Sequence, residues 1–321
     1  MSAIYCDTHF GEQAQAVLRD LCAGHELRLA QAATRSNLGS TGPEAGVDAA
    51  EIILGQPSRE TLDAATGLRW VHVTSAGYAR YATDEMRAMF EARQICLTNS
   101  SSVYAIPCAE QALAGMMMLS RRLDLCVTED ASAGWPSAEH RRAASLVTGS
   151  KVLILGFGAI AQALADRLRP FGVDMVAVRR HPSPEDPIPT IHEEQVESQL
   201  AEADFVVNLL PGGSGTQGYL SRERISAMKP GAFLVNVGRG TTVDQDALVD
   251  AMSSGQLGGA YLDVTDPEPL PAEHPLWRAP RTVISPHVAG GHRAEMTWLV
   301  RHFGENLRRF SAEDPLLDRI Y

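Results

Sequence analysis

Lysine is nearly absent from this chain. Of 28 basic residues in 321, only Lys151 and Lys229 are lysines. No Gly-Lys pair occurs, which excludes a phosphate loop of the G-x-x-x-x-G-K-[S/T] type. A Schiff-base enzyme needs a reactive lysine in an apolar setting. Lys151 opens an apolar strand and Lys229 sits in a Met-Lys-Pro-Gly turn, so neither suits that chemistry. Cysteine is scarce as well. Cys6, Cys22, Cys96, Cys108 and Cys126 are odd in number and form no C-x-x-C pair. Zinc-ribbon and thioredoxin-like readings fall away, and a reducing compartment is the default. Long hydrophobic runs are missing. The longest, Leu113 to Leu119, is far too short to span a bilayer. The start of the chain has no basic segment followed by an apolar stretch, so a cytoplasmic location is expected. Positive charge is in the minority. The net charge of −11 argues against nucleic-acid or anionic-membrane partners, although a few local arginines could hold a small anion. His9, His25, His72, His140 and His192 show no metal-ligand spacing, and no metal is expected. Gly212 to Thr216 fails G-x-S-x-G at its last position, so no serine-hydrolase elbow is read there.

The length suggests two domains, at about 150 residues each. In the first hundred residues, apolar runs at Ala3–Cys6, Glu26–Ala30, Glu51–Gly55, Leu68–Thr74 and Ile95–Thr98 alternate with helical patterns such as Ala14–Leu21 and Asp84–Arg93. That alternation predicts a small parallel sheet flanked by helices. Ser36–Gly46 is loop-like in composition. Pro107 to Val127 reads as one helix, apolar almost all round, either an interdomain core helix or a subunit interface. Ala131 to Gly149, with Trp135, reads as irregular. From Lys151 a second series begins, with strands expected at Val152–Leu155, Asp174–Val178, Phe205–Leu210, Phe233–Val237, Gly259–Val264 and Thr282–Ser285. Six strands over this span match a dinucleotide-binding fold.

The first of these strands leads into Gly156-Phe-Gly158-Ala-Ile-Ala161, a G-x-G-x-x-A loop that opens a helix. Gly156 permits the tight turn, Gly158 lets a pyrophosphate approach the backbone, and Ala161 allows close helix–strand packing. Such spacing alone is weak. Strand, loop and helix together predict a dinucleotide site. The next strand ends in Arg179-Arg180-His181, where an NAD enzyme would normally place a carboxylate. An arginine there can grip a ribose 2′-phosphate, so NADP(H) is favoured and NAD(H) is the alternative. The structural reading is that Arg179 and Arg180 are solvated surface charges.

Ligands of open α/β sheets bind beyond the carboxyl ends of the strands. Three late strands each deliver a suitable group there, namely Arg239, Glu268 and His287. A cation for a carboxylate or carbonyl, a carboxylate and an imidazole together suit hydride chemistry. A Glu beside a His favours the imidazolium, which can act as general acid. Taken singly, each residue could be a salt-bridge donor, a loop charge or a cap. With the glycine loop, the joint functional reading is favoured.

These residues resemble the D-isomer-specific 2-hydroxyacid dehydrogenases. The resemblance rests on Gly156–Ala161, Asn236-Val-Gly-Arg239-Gly240, Leu262-Asp-Val-Thr-Asp-Pro-Glu268-Pro-Leu-Pro, Ser285-Pro-His287-Val-Ala-Gly-Gly and Glu305-Asn-Leu-Arg-Arg-Phe. Ser75-Ala-Gly77, Ala109-Glu110 and Met228-Lys-Pro-Gly231 match further, so nearly the whole chain is covered.

The resemblance implies an α/β protein with a Rossmann dinucleotide-binding domain at 101–289. It also implies a flavodoxin-like substrate domain at 1–100 plus 290–321, with a cleft between the two. It implies that Arg239 binds the substrate carboxylate and polarises the keto oxygen, that His287 exchanges a proton with that oxygen, and that Glu268 orients and charges His287. Ser75, Ala76 and Gly77 would hold the substrate carboxylate by backbone N–H groups. Ala159 and Ile160 would meet the pyrophosphate beside Gly156 and Gly158, and Pro211 and Thr216 would border the adenosine and phosphate side. Val237 and Gly238, with His287, would line the cofactor, and Asp263 would hold the nicotinamide carboxamide. The implied activity is reduction of a small 2-oxo acid, such as glyoxylate or hydroxypyruvate, to the D-2-hydroxy acid, in a homodimer joined through the nucleotide domain.

Thr265 departs from the aromatic that often follows Asp-Val in this family, and Pro267 stiffens the turn before Glu268. Glu rather than Gln beside His287 argues against the formate dehydrogenase branch, and no regulatory domain like that of long phosphoglycerate dehydrogenases is expected within these 321 residues. The same scaffold also serves dinucleotide-binding corepressors. That reading would want peptide-binding extensions, and the sequence shows none.

Overall fold

A computed structural model describes residues 1–34, 42–128 and 137–321. Two compact units emerge, Met1–Tyr104 with His292–Tyr321, and Ala105–Gly291. Residues 36–41 of the glycine- and serine-rich stretch and 131–136 around Trp135 lie outside the described residues.

The first unit runs β1 (Ala3–Thr8), α1 (Glu12–Leu21), β2 (Glu26–Thr34), β3 (Ile52–Gly55), α2 (Arg59–Ala64), β4 (Trp70–Val73), α3 (Asp84–Ala92) and β5 (Cys96–Thr98). The helix α4 (Ser101–Ser120) leaves it for the second unit, and α11 (Glu295–Ser311) returns to it. Its five strands are parallel in the order β2-β1-β3-β4-β5, the flavodoxin-like arrangement. Both faces of the sheet are covered, so β3 and β4 are buried throughout and apolar except for His72. The period of two splits them cleanly. Ile53 and Val71 join Leu62, Phe90 and Leu97 on one face. Ile52, Leu54 and Trp70 join Leu18, Val300, Phe303 and Leu307 on the other. Trp70 stacks on Phe303 and Phe310, with ring centroids at 5.2 and 5.3 Å. His72 is fully buried, with Nδ1 2.7 Å from the Thr98 hydroxyl.

One charge is awkward in this unit. Asp7, at the carboxyl end of β1, is 1% exposed, and its Oδ2 has no hydrogen-bond partner among the described residues. Burial pushes its carboxyl up to about 6, against hydrogen bonds from Gln56 and Thr8 and the Arg80 charge, which lower it. The folded state therefore holds this proton more tightly than the unfolded chain. The associated stability is present below about pH 4 and is lost as pH rises through about 6. Asp7→Asn should be more stable than the parent at pH 8, by up to about 3 kcal/mol, because a unit of pKa shift corresponds to about 1.4 kcal/mol. The gain should vanish at pH 4. Urea unfolding at both pH values checks this, and an equal gain at both would exclude buried charge as the cause.

The second unit continues with α5 (Leu123–Thr128), α6 (Ser137–Ala143), β6 (Lys151–Leu155), α7 (Ala159–Leu168), β7 (Asp174–Val178), β8 (Thr190–Ile191), α8 (Val196–Leu200) and β9 (Phe205–Asn208). Then come α9 (Arg222–Ala227), β10 (Phe233–Asn236), α10 (Gln245–Ser253), β11 (Gly259–Leu262) and β12 (Thr282–Ile284). All seven strands are parallel, in the order β12-β11-β10-β9-β6-β7-β8. This is the Rossmann order, with the short β8 as a strand the sequence reading did not include. Leu153, Val206, Leu234 and Leu262 form its core with Leu248 and Met252 of α10.

The long helix departs from expectation. It begins at Ser101, so Pro107 lies inside it rather than at its start. Two side chains satisfy the first free N–H groups earlier than the proline suggests. Asn99 Oδ1 accepts from Ser101 N at 3.1 Å, and Asp318 Oδ2 accepts from Ser102 N at 2.8 Å. The helix stops after Ser120, and Arg122 turns with φ of 58° before α5. One face of α4 is buried through Ala112, Met116 and Leu119, while Ile106 and Met117 are exposed. Residues 137–143 form α6 instead of continuing an irregular stretch. Among the described residues, no helix is long and apolar enough to cross a membrane.

Candidate functional site

The glycine loop follows β6 directly. Gly156 has φ of +91°, and a side chain there would press on the Leu209 carbonyl at 3.3 Å. Gly158 is the N-cap of α7 and offers no capping side chain. Nothing lies within 4 Å of where its Cβ would be. Ala159 and Ile160, the first residues of α7, are half-buried and their N–H groups receive no side-chain cap from Gly158, while Ala161 is buried at 1% exposure. An uncapped helix start behind a bare glycine fits a pyrophosphate. Beyond β9, Thr216 Oγ1 donates to the Pro211 carbonyl at 2.6 Å and ties the 211–216 loop to itself.

Past β7 the two arginines differ. Arg179 Nη1 donates to Asp186 Oδ1 at 2.5 Å. Asp186 Oδ2 also accepts from Thr190 Oγ1 at 2.7 Å and Ser183 N at 3.1 Å. These partners hold the Asp186 carboxyl below the usual range, the Thr190 hydrogen bond most of all, although partial burial opposes the shift. The sequence reading missed this carboxylate. Arg180 is exposed and forms no ion pair among the described residues. Its Nη2 lies 4.0 Å from the Cβ position of Gly215, over the 211–216 loop.

The three polar residues stand past three adjacent strands. β10, β11 and β12 pair in register, Asn236 against Leu262 and Leu262 against Ile284. Asn236 builds the first turn. Its Oδ1 accepts from Gly238 N at 3.1 Å, and its Nδ2 donates to the Arg239 carbonyl at 3.3 Å. Thr242 Oγ1 donates to the same carbonyl at 2.6 Å. The Arg239 side chain is half-buried, reaches Gly238 O through Nη1 and forms no ion pair among the described residues.

Glu268 and His287 meet directly. His287 Nδ1 is 2.7 Å from Glu268 Oε2, and Glu268 Oε1 accepts from Thr265 N at 3.0 Å. The carboxylate is therefore fixed at both oxygens, and the ring is oriented with Nε2 turned away from it. His287 has φ of 52°, a left-handed conformation uncommon outside glycine. Asp263 holds it there. Its Oδ1 accepts from Ser285 Oγ at 2.6 Å and Val288 N at 3.0 Å, and its Oδ2 accepts from Ala289 N at 2.9 Å. The Asp263 carbonyl accepts from His287 N at 2.8 Å. Asp263 is 2% exposed, so in this structure its carboxylate serves the loop that carries His287.

In the first unit, the segment after β4 has all its carbonyls engaged. Thr74 O accepts from Tyr104 Oη at 3.0 Å, Ser75 O from Ser100 N at 3.1 Å and Ala76 O from Asn99 Nδ2 at 2.8 Å. Gly77 O accepts from Ser75 Oγ at 2.6 Å. No hydrogen bond among the described residues uses the N–H of Ser75, Ala76 or Gly77.

The sequence profile described as "D-isomer specific 2-hydroxyacid dehydrogenase, NAD binding domain" matches residues 113–289, more than half of the chain. The chain belongs to this family. The human glyoxylate reductase/hydroxypyruvate reductase is 34% identical over 244 residues, 74% of this chain and 73% of that protein. The 2-ketogluconate reductase of Gluconobacter oxydans is 34% identical over 83% of each chain. The crystal structure of a D-isomer specific 2-hydroxyacid dehydrogenase from Xanthobacter autotrophicus, in complex with NADPH and MES, aligns with a TM-score of 0.75 at 25% identity, covering 100% of this chain and 98% of that one. As a D-2-hydroxyacid dehydrogenase, the chain is an NAD(P)-dependent oxidoreductase, with an NAD-binding domain and a second α/β domain. Arg239, Glu268, His287 and Asp263 belong to that NAD-binding domain and follow its three neighbouring strands. Asp186 and Gln56 carry no family motif and escaped the sequence reading. The only hint of Asp186 was its place in the proline-rich loop after Arg179.

Proposed function

We propose that this dehydrogenase is an NADPH-preferring reductase of a small 2-oxo acid, glyoxylate- or hydroxypyruvate-like, that forms the D-2-hydroxy acid. The observation that carries the reading is the His287–Glu268 pair at 2.7 Å, set beside the Arg239 turn beyond β10, β11 and β12. When bound, the nicotinamide supplies the hydride or takes it back. His287, through its free Nε2, gives a proton to the keto oxygen in reduction and removes it in oxidation. Glu268 fixes the ring and balances the imidazolium charge. Arg239 holds the substrate carboxylate and polarises the keto group, as a planar donor fork suits. Ser75, Ala76 and Gly77 add backbone N–H groups to that carboxylate. Gly156, Gly158, Ala159 and Ile160 receive the pyrophosphate, and Pro211, Thr216, Val237 and Gly238 line the rest of the cofactor. Asp263 borders the carboxamide while bracing the His287 loop. The exposed apolar residues Ile106 and Met117 on α4 support a homodimer through the nucleotide-binding unit, and the unpaired cysteines support a reducing compartment such as the cytoplasm.

The cofactor preference rests on Arg180 and Arg179. Arg180 is the freer cation and grips the 2′-phosphate, while Arg179, held by Asp186, flanks it. Arg180→Ala should weaken NADPH about tenfold or more, since a charged hydrogen bond contributes about 1.5–3 kcal/mol, and should leave NADH nearly unchanged. Fluorescence titration with both reduced cofactors measures this, and tighter NADH binding by the parent protein overturns the preference. A panel of glyoxylate, hydroxypyruvate and 2-ketogluconate with each cofactor tests the substrate class. Inactivity throughout would overturn the reductase assignment.

A further inference from the structure

The carboxyl edge of the first unit's sheet holds a buried polar chain that the proposed roles do not use. Gln56, immediately after β3, is 4% exposed. Its Nε2 donates to Ser75 Oγ at 2.9 Å and lies 3.3 Å from Thr74 Oγ1. Ser75 Oγ in turn donates to Gly77 O at 2.6 Å. The direction of this chain is set by its last member. A carbonyl can only accept, so the Ser75 proton points at Gly77 and the hydroxyl must accept from the amide of Gln56. Gln56 is itself held at the backbone, where its N–H donates to Asp7 Oδ1 at 2.8 Å. The run from Asp7 through Gln56 and Ser75 to Gly77 crosses β1, β3 and β4, which are neighbours in the sheet.

We propose that Gln56 is a positioning residue for the substrate carboxylate, acting through Ser75 to hold the 75–77 segment with its N–H groups free. This rests on the reading of Ser75–Gly77 as the carboxylate holder. Two features argue for positioning over mere packing. An apolar side chain of similar size would fill the same buried space, so a polar amide is not needed for volume. The amide also ends on the residue whose hydroxyl turns the Gly77 carbonyl inward, and that turn leaves the Gly77 N–H unused. Withdrawing the amide leaves the Ser75 hydroxyl without a donor and free to rotate, which releases the Gly77 carbonyl and blurs the aim of the segment. The effect belongs on substrate binding. Cofactor affinity and the proton step at His287 lie with residues of the other unit.

The test compares Gln56→Met, Gln56→Glu, Ser75→Ala and the double variant Gln56→Met/Ser75→Ala, each with its Tm, using glyoxylate and NADPH. Gln56→Met should raise KM about five- to tenfold, the scale of one neutral hydrogen bond, with kcat and cofactor Kd unchanged. Gln56→Glu keeps a polar group if the apolar variant fails to fold. Assayed at alkaline pH, where its carboxyl is ionised, it offers only acceptors to Ser75, so it should raise KM similarly there by pulling the hydroxyl proton away from Gly77. The double variant should be no worse than Ser75→Ala alone. An unchanged KM in Ser75→Ala, which keeps all three backbone N–H groups, would overturn the relay from Gln56 through the Ser75 hydroxyl and leave the carboxylate-holder reading standing. An unchanged KM in folded Gly77→Pro, which removes one of those N–H groups, would remove that reading itself. A raised KM in Ser75→Ala with unchanged KM in folded Gln56 variants would overturn the role of Gln56 alone. Additive losses in the double variant would also overturn it, by showing that Gln56 does not act through Ser75.

Discussion

His287→Ala should lower kcat about 10³- to 10⁴-fold while leaving cofactor affinity within about twofold, the upper range for loss of a general acid–base group. The size of the effect follows from how much structure is committed to one ring. The backbone at His287 is held at φ 52°, a conformation that costs about 1–3 kcal/mol for a non-glycine residue and needs support from its surroundings. Asp263 supplies that support by accepting from Ser285, Val288 and Ala289, on both sides of the histidine. Glu268 then accepts from Nδ1–H, so the ring has one orientation and Nε2 is the end that exchanges a proton. The Ala variant keeps the Asp263 bonds, which involve no His287 side-chain atom, so the fold and the glycine loop should survive. Glu268→Gln should be milder, about 10- to 100-fold on kcat, because an amide oxygen can still accept from Nδ1 but cannot balance a positive ring. Single-turnover hydride transfer and cofactor fluorescence titration separate the two terms. Turnover of His287→Ala within tenfold of the parent would exclude the histidine as the acid.

The parts of this site that could be read from the sequence are those in which a short segment carries both the turn and the chemistry. Gly156 to Ala161 is one, and Asn236 to Gly240 is another, because Asn236 folds its own turn onto Gly238 and Arg239. Parallel strands then do the rest, since neighbours in register end at the same level and bring Arg239, Glu268 and His287 to one edge. Partners that depend on distant pairing were not legible. Gln56 meets Ser75 only because β3 and β4 are adjacent, and Asp7 meets Gln56 only because β1 lies on the other side of β3. Neither pair has a characteristic spacing. Asp186 pairs with Arg179 through a loop whose closure depends on Thr190 and Ser183, so its carboxylate looked too far along the chain to matter. The start of α4 was misplaced for a related reason. Pro107 is a strong local signal, but Asp318, near the far end of the chain, caps the helix at Ser102. Asp263 was visible as a motif residue. Its service to the His287 loop became visible only when β11 and β12 were placed side by side.

Gly240→Ala should cost both stability and turnover, and it separates a glycine needed by the protein from one needed by a ligand. A Cβ at Gly240 would lie 2.0 Å from the carbonyl carbon and oxygen of Thr265. Both atoms are backbone, so no rotamer change relieves the overlap. Either the Arg239 turn or the 264–266 segment must move. If the second moves, Thr265 N withdraws from Glu268 Oε1, and the carboxylate loses the contact that aims it at His287. If the first moves, Arg239 leaves the position that Asn236 and Thr242 hold. Overpacking of this kind costs about 1–3 kcal/mol. A displacement of about 1 Å in a reacting group can cost about 10²-fold in rate. The expected result is a lower Tm with kcat reduced about 10²-fold and cofactor affinity nearly kept. Gly158→Ala should show the opposite pattern. Nothing of the protein lies within 4 Å of its Cβ position, so Tm should hold, while the added methyl stands where the pyrophosphate approaches and weakens both cofactors. Thermal melts, cofactor titrations and kcat for the two variants make the comparison. A Gly240→Ala protein with the parent's Tm and kcat would mean that the two loops are not in the contact that aligns Arg239 with the Glu268–His287 pair.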